Sequence, residues 1–137
     1  MIRSAMPLLQ AGHHPMVVNI GSILGHRALP FRAEYCASKF ALRGLSESLR
    51  AEFAAQGIDV LLVSPGTTQT EFFERAIDAK PRRSKRRGAA AEVVARRTVK
   101  AIRQGRHEIV VGAPGKLLVW TNRLFPLGWD SILARYG

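Results

Sequence analysis

Two short β-branched runs constrain what this chain can fold into. Residues 16–20 read Met-Val-Val-Asn-Ile and residues 58–63 read Ile-Asp-Val-Leu-Leu-Val. Each is nearly continuous in apolar character and stops at chain-turning residues, Gly21-Ser22 after the first and Ser64-Pro65-Gly66 after the second. Such runs suit strands covered on both faces, the kind that build parallel sheets. Between them a helical pattern starts near Ala33. There Leu42, Leu45, Leu49 and Phe53 recur three or four positions apart as one apolar stripe, with Gly57 placed as a stop.

The same alternation continues toward the C-terminus. Residues 89–104 predict a helix with Val93, Val94, Val99 and Ile102 on or near its apolar side, and residues 107–111 predict a third strand. Residues 1–11 read as a helix or the end of one, closed by Gly12. Residues 23–33, holding Gly25 and Pro30, read as a loop, and residues 67–88 as a polar, then basic connection with room for a short helix over 71–79. From Pro114 onward the chain is apolar and aromatic but punctuated by Gly and Pro, and the pattern assigns no element there. Strand, helix, strand, helix, strand with short joints predicts an α/β fold with a parallel sheet. Ligands of such sheets lie at the carboxyl ends of the strands, where Gly21-Ser22 and Pro65-Gly66 fall.

Composition narrows the class. The 137 residues, 47% hydrophobic and 23% charged, suit one globular domain rather than a disordered chain. Cys36 is the only cysteine, so no intramolecular disulfide can form and a reducing, cytoplasmic location is expected. The opening residues lack a secretory signal, and the apolar region 109–129 is interrupted by Pro114, Lys116, Arg123 and Pro126, whereas a membrane span needs roughly 20 largely apolar residues. Peripheral contact is a different matter: Trp120, Phe125 and Trp129 beside Lys116 and Arg123 suit a membrane surface, and equally a pocket wall or subunit contact.

Charge is concentrated in one segment. Residues 80–106 hold eleven cations against the single carboxylate of Glu92, which accounts for +10 of the chain's net +11. From its charge alone this segment reads as a solvated loop or as an import or nucleic-acid patch. Nucleic-acid binding is the least supported, because no base-reading element accompanies the charge.

Chemistry centres on Tyr35-Cys36-Ala37-Ser38-Lys39. Residues four apart share a helix face, so Tyr35 and Lys39 can point into the cleft that Ser22 approaches from the first strand. A free tyrosine titrates near ~10, and an adjacent ammonium favours the phenolate, so such a pair can exchange a proton with an alcohol or alkoxide. The plainer reading is a half-buried ring and a solvated charge. His13, His14, His26 and His107 have no partners at metal-ligand spacing. Cys36 reads as a small apolar filler beside Tyr35, and Glu47 and Glu52 as surface charges among arginines.

Taken together, the runs Asn19-Ile20-Gly21-Ser22-Ile23-Leu24-Gly25, Tyr35-Cys36-Ala37-Ser38-Lys39, Gly44-Leu45-Ser46-Glu47-Ser48-Leu49-Arg50 and Ser64-Pro65-Gly66-Thr67-Thr68-Gln69-Thr70 resemble the short-chain dehydrogenase/reductase family in order and spacing over roughly residues 1–112. The resemblance implies that Tyr35 is the general acid/base. Lys39 would favour its phenolate and hold the nicotinamide ribose, and Ser22 would bind and polarise the substrate oxygen. Pro65, Gly66, Thr67 and Thr70 would follow the nicotinamide and adjoining phosphate of NAD or NADP, with a slight preference for NADP. The reaction implied is hydride transfer between NAD(P) and a carbonyl or secondary alcohol.

The chain also departs from that family's pattern. The Thr-Gly-x-x-x-Gly-x-Gly turn and the Asn-Asn-Ala-Gly segment of members are absent, and the family's catalytic asparagine would fall upstream of Met1. The expectation is therefore a partial Rossmann-like, doubly wound parallel sheet, the C-terminal half of a dehydrogenase that is incomplete by itself. Residues 1–137 would form this one partial domain, with 113–137 as a C-terminal extension and 67–106, by the resemblance, as a lid over the substrate whose cations suit an anionic substrate, an acyl thioester or anionic lipid. By the same resemblance, residues 1–11 and 33–55 would pair subunits in a homo-oligomer. The alternative function is a non-catalytic module that dimerises or associates with a partner or a membrane surface.

Overall fold

The computed structural model describes residues 2–69 and 88–135. In chain order its elements are α1 (Ile2–Ala11), β1 (Met16–Ile20), a 3-10 turn (Ile23–Gly25), α2 (Ala33–Ala54), β2 (Asp59–Pro65), β3 (Thr68–Gln69), β4 (Ala89–Ala90), α3 (Ala91–Arg103), β5 (Glu108–Val111), α4 (Ala113–Leu124) and α5 (Pro126–Leu133). The helix expected over residues 71–79 and the cations of residues 80–87 lie outside the described residues.

The main sheet has the order β1-β2-β5, parallel throughout, with Val17 opposite Val60 and Val63 opposite Ile109. Successive strand residues point to opposite faces, and the core divides accordingly. Val60 packs with Leu49 and Phe53 of α2, Ile58, and Ile2, Met6 and Leu9 of α1. Leu61 and Val63 pack instead with Ala101 and Val94 of α3 and with Val111. One helical layer thus covers each face of the sheet, which is the doubly wound α/β arrangement.

β2, flanked by strands on both sides, is buried from Val60 to Ser64. β1 was expected to be covered equally, yet it is only half-buried and Ile20 is 50% exposed. Position explains this, since among the described residues β1 has a strand on one side only.

The long helix also differs in detail from its apolar pattern. Leu49 and Phe53 face the sheet, but Leu45 is 45% exposed, and fully buried Ser46 occupies the contact line. At 100° per residue, Ser46 lies about 20° beyond Phe53 and about 40° from Leu42 on the wheel, whereas Leu45 falls about 60° to the other side of Leu42. Ser46 donates to Leu42 O at 2.7 Å and accepts from Asn19 Nδ2 at 2.9 Å, so a satisfied polar pair ties β1 to α2. In α3, likewise, small Ala101 faces the sheet while Val99 and Ile102 point outward. Both helices end as expected, with Gly57 and Gly105 in the left-handed region at φ 65° and 58°.

The Gly- and Pro-punctuated C-terminal stretch is helical. Pro114 and Pro126 each fall in the first turn of a helix, where the missing N–H costs no helical hydrogen bond. Trp129 Nε1 donates to Thr121 Oγ1 at 3.1 Å and closes α5 onto α4. The pair is tied to the loop after the 3-10 turn: Asn122 Nδ2 donates to His26 O at 3.0 Å, and Arg27 reaches Asn122, the Pro126 carbonyl and Asp130. The short β3–β4 pair joins Thr68 to Ala89 and Gln69 to Ala90, so the two ends of the 70–87 connection lie side by side.

Candidate active site

The site is built at the carboxyl ends of β1 and β2. As β1 ends, Gly21 N donates to Val63 O at 2.7 Å, which holds the two strand ends together. Ser22 continues in extended conformation and caps the 3-10 turn, its Oγ accepting from Leu24 N at 3.1 Å. The side chain is buried at 8% exposure.

That turn packs backbone against backbone on the start of α2. A Cβ added at Gly25 would stand 2.6 Å from Lys39 O and 3.0 Å from Lys39 C, closer than real side chains approach. Only glycine allows the serine turn to sit this close to the turn of α2 that carries Lys39.

Tyr35 and Lys39 are both half-buried, one helical turn apart. Lys39 Nζ donates to Ile20 O at 3.1 Å and lies 5.6 Å from the centre of the Tyr35 ring. The ammonium is therefore held between the last carbonyl of β1 and the tyrosine, two residues from Ser22. Cys36, the residue after Tyr35, is 2% exposed. Pro65 ends β2 at the same end of the sheet. Gly66 N donates to Val111 O at 3.2 Å, and Ala89 N donates to Thr67 O at 2.9 Å. Thr68 Oγ1 donates to Gly66 O at 3.2 Å. These bonds fix the Pro65-Gly66-Thr67 turn and leave Thr67 exposed. Thr70 lies outside the described residues, and among those described no group of acidic, His or Cys side chains is arranged to hold a metal.

Two features here have no signal in the sequence. One is the Ile20 carbonyl, a backbone group that anchors Lys39 regardless of the side chain it carries. The other is His26, which had no visible partner along the chain. It is 5% exposed, its Nε2 shares a 2.9 Å hydrogen bond with Ser64 Oγ, and Glu108 Oε1 lies 3.7 Å away. Burial, reinforced by the Arg43 guanidinium and opposed by Glu108, holds the imidazole below its ordinary range around 6.5.

This has a consequence for acid stability. Below about 6.5 the unfolded chain takes up a proton at His26 that the folded chain does not, so stability falls as the pH drops through that value toward the lower folded titration point. The contribution cannot exceed about 1.4 kcal/mol per pH unit. Urea unfolding of wild type and His26→Gln between pH 7.5 and 5 is expected to show a shallower acid slope in the variant; equal slopes would refute the assignment.

Residues 1–81 match the family model described as short chain dehydrogenase. Among similar proteins, the dehydrogenase/reductase SDR family protein 7-like of Anopheles gambiae is 30% identical over 97% of this chain and 44% of its own length. A short chain dehydrogenase from Burkholderia cenocepacia, solved in complex with NADP, superposes with TM-score 0.81 at 26% identity, covering 97% of this chain and 52% of that one. A relative from Burkholderia phymatum, solved with NAD, shares the fold at TM-score 0.77 and 24% identity, over 90% of this chain and 52% of its own. The chain spans less than half the length of the curated relatives it matches.

Proposed function

Because this chain belongs to the short-chain dehydrogenase family, we propose that Ser22, Tyr35 and Lys39 form the proton-transfer centre of an NAD(P)-dependent oxidoreductase acting on a carbonyl or secondary alcohol. The observation that carries this reading is the Lys39 ammonium held between the Ile20 carbonyl and the Tyr35 ring at the carboxyl end of β1, beside Ser22.

Each group has a distinct task. In the reducing direction the Tyr35 hydroxyl gives its proton to the substrate oxygen, and in the oxidising direction the phenolate takes it back. Lys39 places a positive charge where negative charge develops on the tyrosine oxygen. One of its three N–H donors is spent on Ile20 O, which leaves others for ribose hydroxyls. Ser22 Oγ accepts from Leu24 N, so its own hydrogen remains available to donate to the substrate oxygen. When bound, the nicotinamide dinucleotide supplies or accepts the hydride.

The residues present fit the nicotinamide end of such a cofactor. Lys39 keeps N–H donors beyond the one given to Ile20 O, and the Pro65-Gly66-Thr67 turn is fixed by backbone bonds at the same strand ends. The Burkholderia cenocepacia neighbour, solved with NADP, supports a nicotinamide dinucleotide, and we take NADP as the form this site prefers. The pyrophosphate end has no comparable support, since the sequence holds no Gly-x-x-x-Gly-x-Gly turn. We infer that this part of the cofactor is held by a polypeptide segment other than these residues.

A chimera tests both statements. The chain is fused behind the half of the Burkholderia cenocepacia dehydrogenase that it does not cover, and NADPH-linked reduction of a ketone panel is followed for fusion and chain. Turnover by the fusion alone is the expected result. Tight NADPH binding by the isolated chain would refute the inferred division of the cofactor, whereas an inert fusion that binds NADPH would refute the proton-transfer centre.

A further inference from the structure

Helix α4 is apolar on two sides. Its inner side buries Gly115 and Val119, with Gly115 so close to the 3-10 turn that a Cβ would stand 2.9 Å from Ile23 Cγ2. Its outer side carries Leu117, Trp120 and Leu124, at i, i+3 and i+7, and these are 63%, 63% and 52% exposed. Phe125 and Leu127 extend the same exposed apolar character into the joint with α5. The inner side already serves the core, so the outer residues contribute nothing to it.

Cations border this crest. Lys116, one residue before Leu117 and one turn before Trp120, also lines a groove of about 480 Å³ between α3, β5 and the start of α4. Arg97, Lys100 and Arg106 line the same groove, and none of the described lining residues is acidic. Nearby carboxylates are already engaged: Arg27 pairs with Asp130, and Arg123 lies 3.5 Å from Glu108. A cationic groove therefore runs alongside an aromatic and aliphatic crest.

We propose that the outer face of α4 and α5, with the basic groove beside it, docks the protein onto an anionic lipid bilayer. Leu117, Trp120, Leu124, Phe125 and Leu127 enter the headgroup–acyl boundary, while Arg97, Lys100, Arg106 and Lys116 meet lipid phosphates. Charge selects this occupant over a second copy of the chain, because a symmetric contact would set two molecules of net charge +11 against one another through their basic grooves. The proposed contact is a surface one, through side chains of α4 and α5; no helix among the described residues is long and apolar enough to cross a membrane. The surface does not depend on the proposed chemistry, and its test requires no cofactor.

The test is sedimentation with vesicles of phosphatidylcholine alone and of phosphatidylcholine containing about one-third phosphatidylglycerol. Wild type is expected to bind only the anionic vesicles and to release as salt rises. Leu117→Ser with Trp120→Ser should weaken binding more than about tenfold, and Lys100→Glu with Lys116→Glu by about fivefold or more for each charge. Leu8→Ser, at a 78% exposed position on α1, should bind as wild type does. A second measurement leaves the α4–α5 contact intact: wild-type tryptophan emission should shift to the blue on anionic vesicles and be quenched by brominated lipid, and Trp120→Phe, at a 63% exposed position, should remove the shift. Absence of binding, equal binding to neutral vesicles, full binding by the Leu117/Trp120 variant, or no Trp120 shift would each overturn the proposal. So would lipid-free self-association that the Leu117/Trp120 variant abolishes, because the crest would then belong to a second copy.

Discussion

Tyr35→Phe is expected to lower turnover by about 10²–10⁴-fold while leaving cofactor affinity nearly unchanged. Phenylalanine keeps the ring against which Lys39 is placed and removes only the hydroxyl, so the comparison isolates proton transfer from packing. The chimera described above provides the assay, read as kcat for ketone reduction together with an NADPH titration. Lys39→Met makes the contrasting case. It removes the charge and the bond to Ile20 O together, so both turnover and cofactor affinity should fall. A Tyr35→Phe enzyme within about tenfold of wild type would remove Tyr35 from the chemistry.

The second large effect is expected at Gly25, where a single methyl group acts as a wedge. Alanine there would place Cβ 2.6 Å from Lys39 O, and backbone on both sides leaves no flexible side chain to yield. Overpacking of this kind costs about 1–3 kcal/mol. The displaced segment carries Lys39, so in the chimera the loss of activity should exceed what the fraction unfolded explains. Gly44→Ala is the matched control: its Cβ meets nothing within 4 Å, and in a helix interior alanine is favoured by about 0.5–1 kcal/mol. Urea midpoints moving in opposite directions for the two variants would support this account. A neutral Gly25→Ala variant would show that the serine turn and α2 are not in rigid contact.

Pattern reading succeeded where one physical rule acted alone. The run at residues 16–20 is a strand with the expected bounds, and the helix begins at Ala33 and closes through Gly57, because β-branched continuity and left-handed stops are local properties. It failed where two parts of the chain meet. Leu45 belonged to the apolar stripe by spacing, yet Ser46 faces the sheet because Asn19, 27 positions away, offers its amide there. Pro114 and Pro126 looked like interruptions, and they start helices, because a proline's effect depends on whether it falls in the first turn. Exposed Val99 and Ile102 show the same limit: α3 approaches the sheet through a small residue, Ala101, and a count of large apolar side chains does not reveal that.

At the candidate site the division is equally physical. Residue types and their order are legible along the chain: Ser22 after a strand, Tyr35 and Lys39 one turn apart, Pro65-Gly66 after the next strand, and a parallel sheet that gathers strand ends on one side. Periodicity and spacing encode these because they depend on neighbours along the chain. Packing of the layers is what rests the Lys39 ammonium on the Ile20 carbonyl, lets the serine turn touch α2 through Gly25, brings buried His26 to Ser64 and turns an apolar face of α4 outward. Those facts depend on distances between backbone atoms and side chains far apart in sequence, which are set when the layers pack.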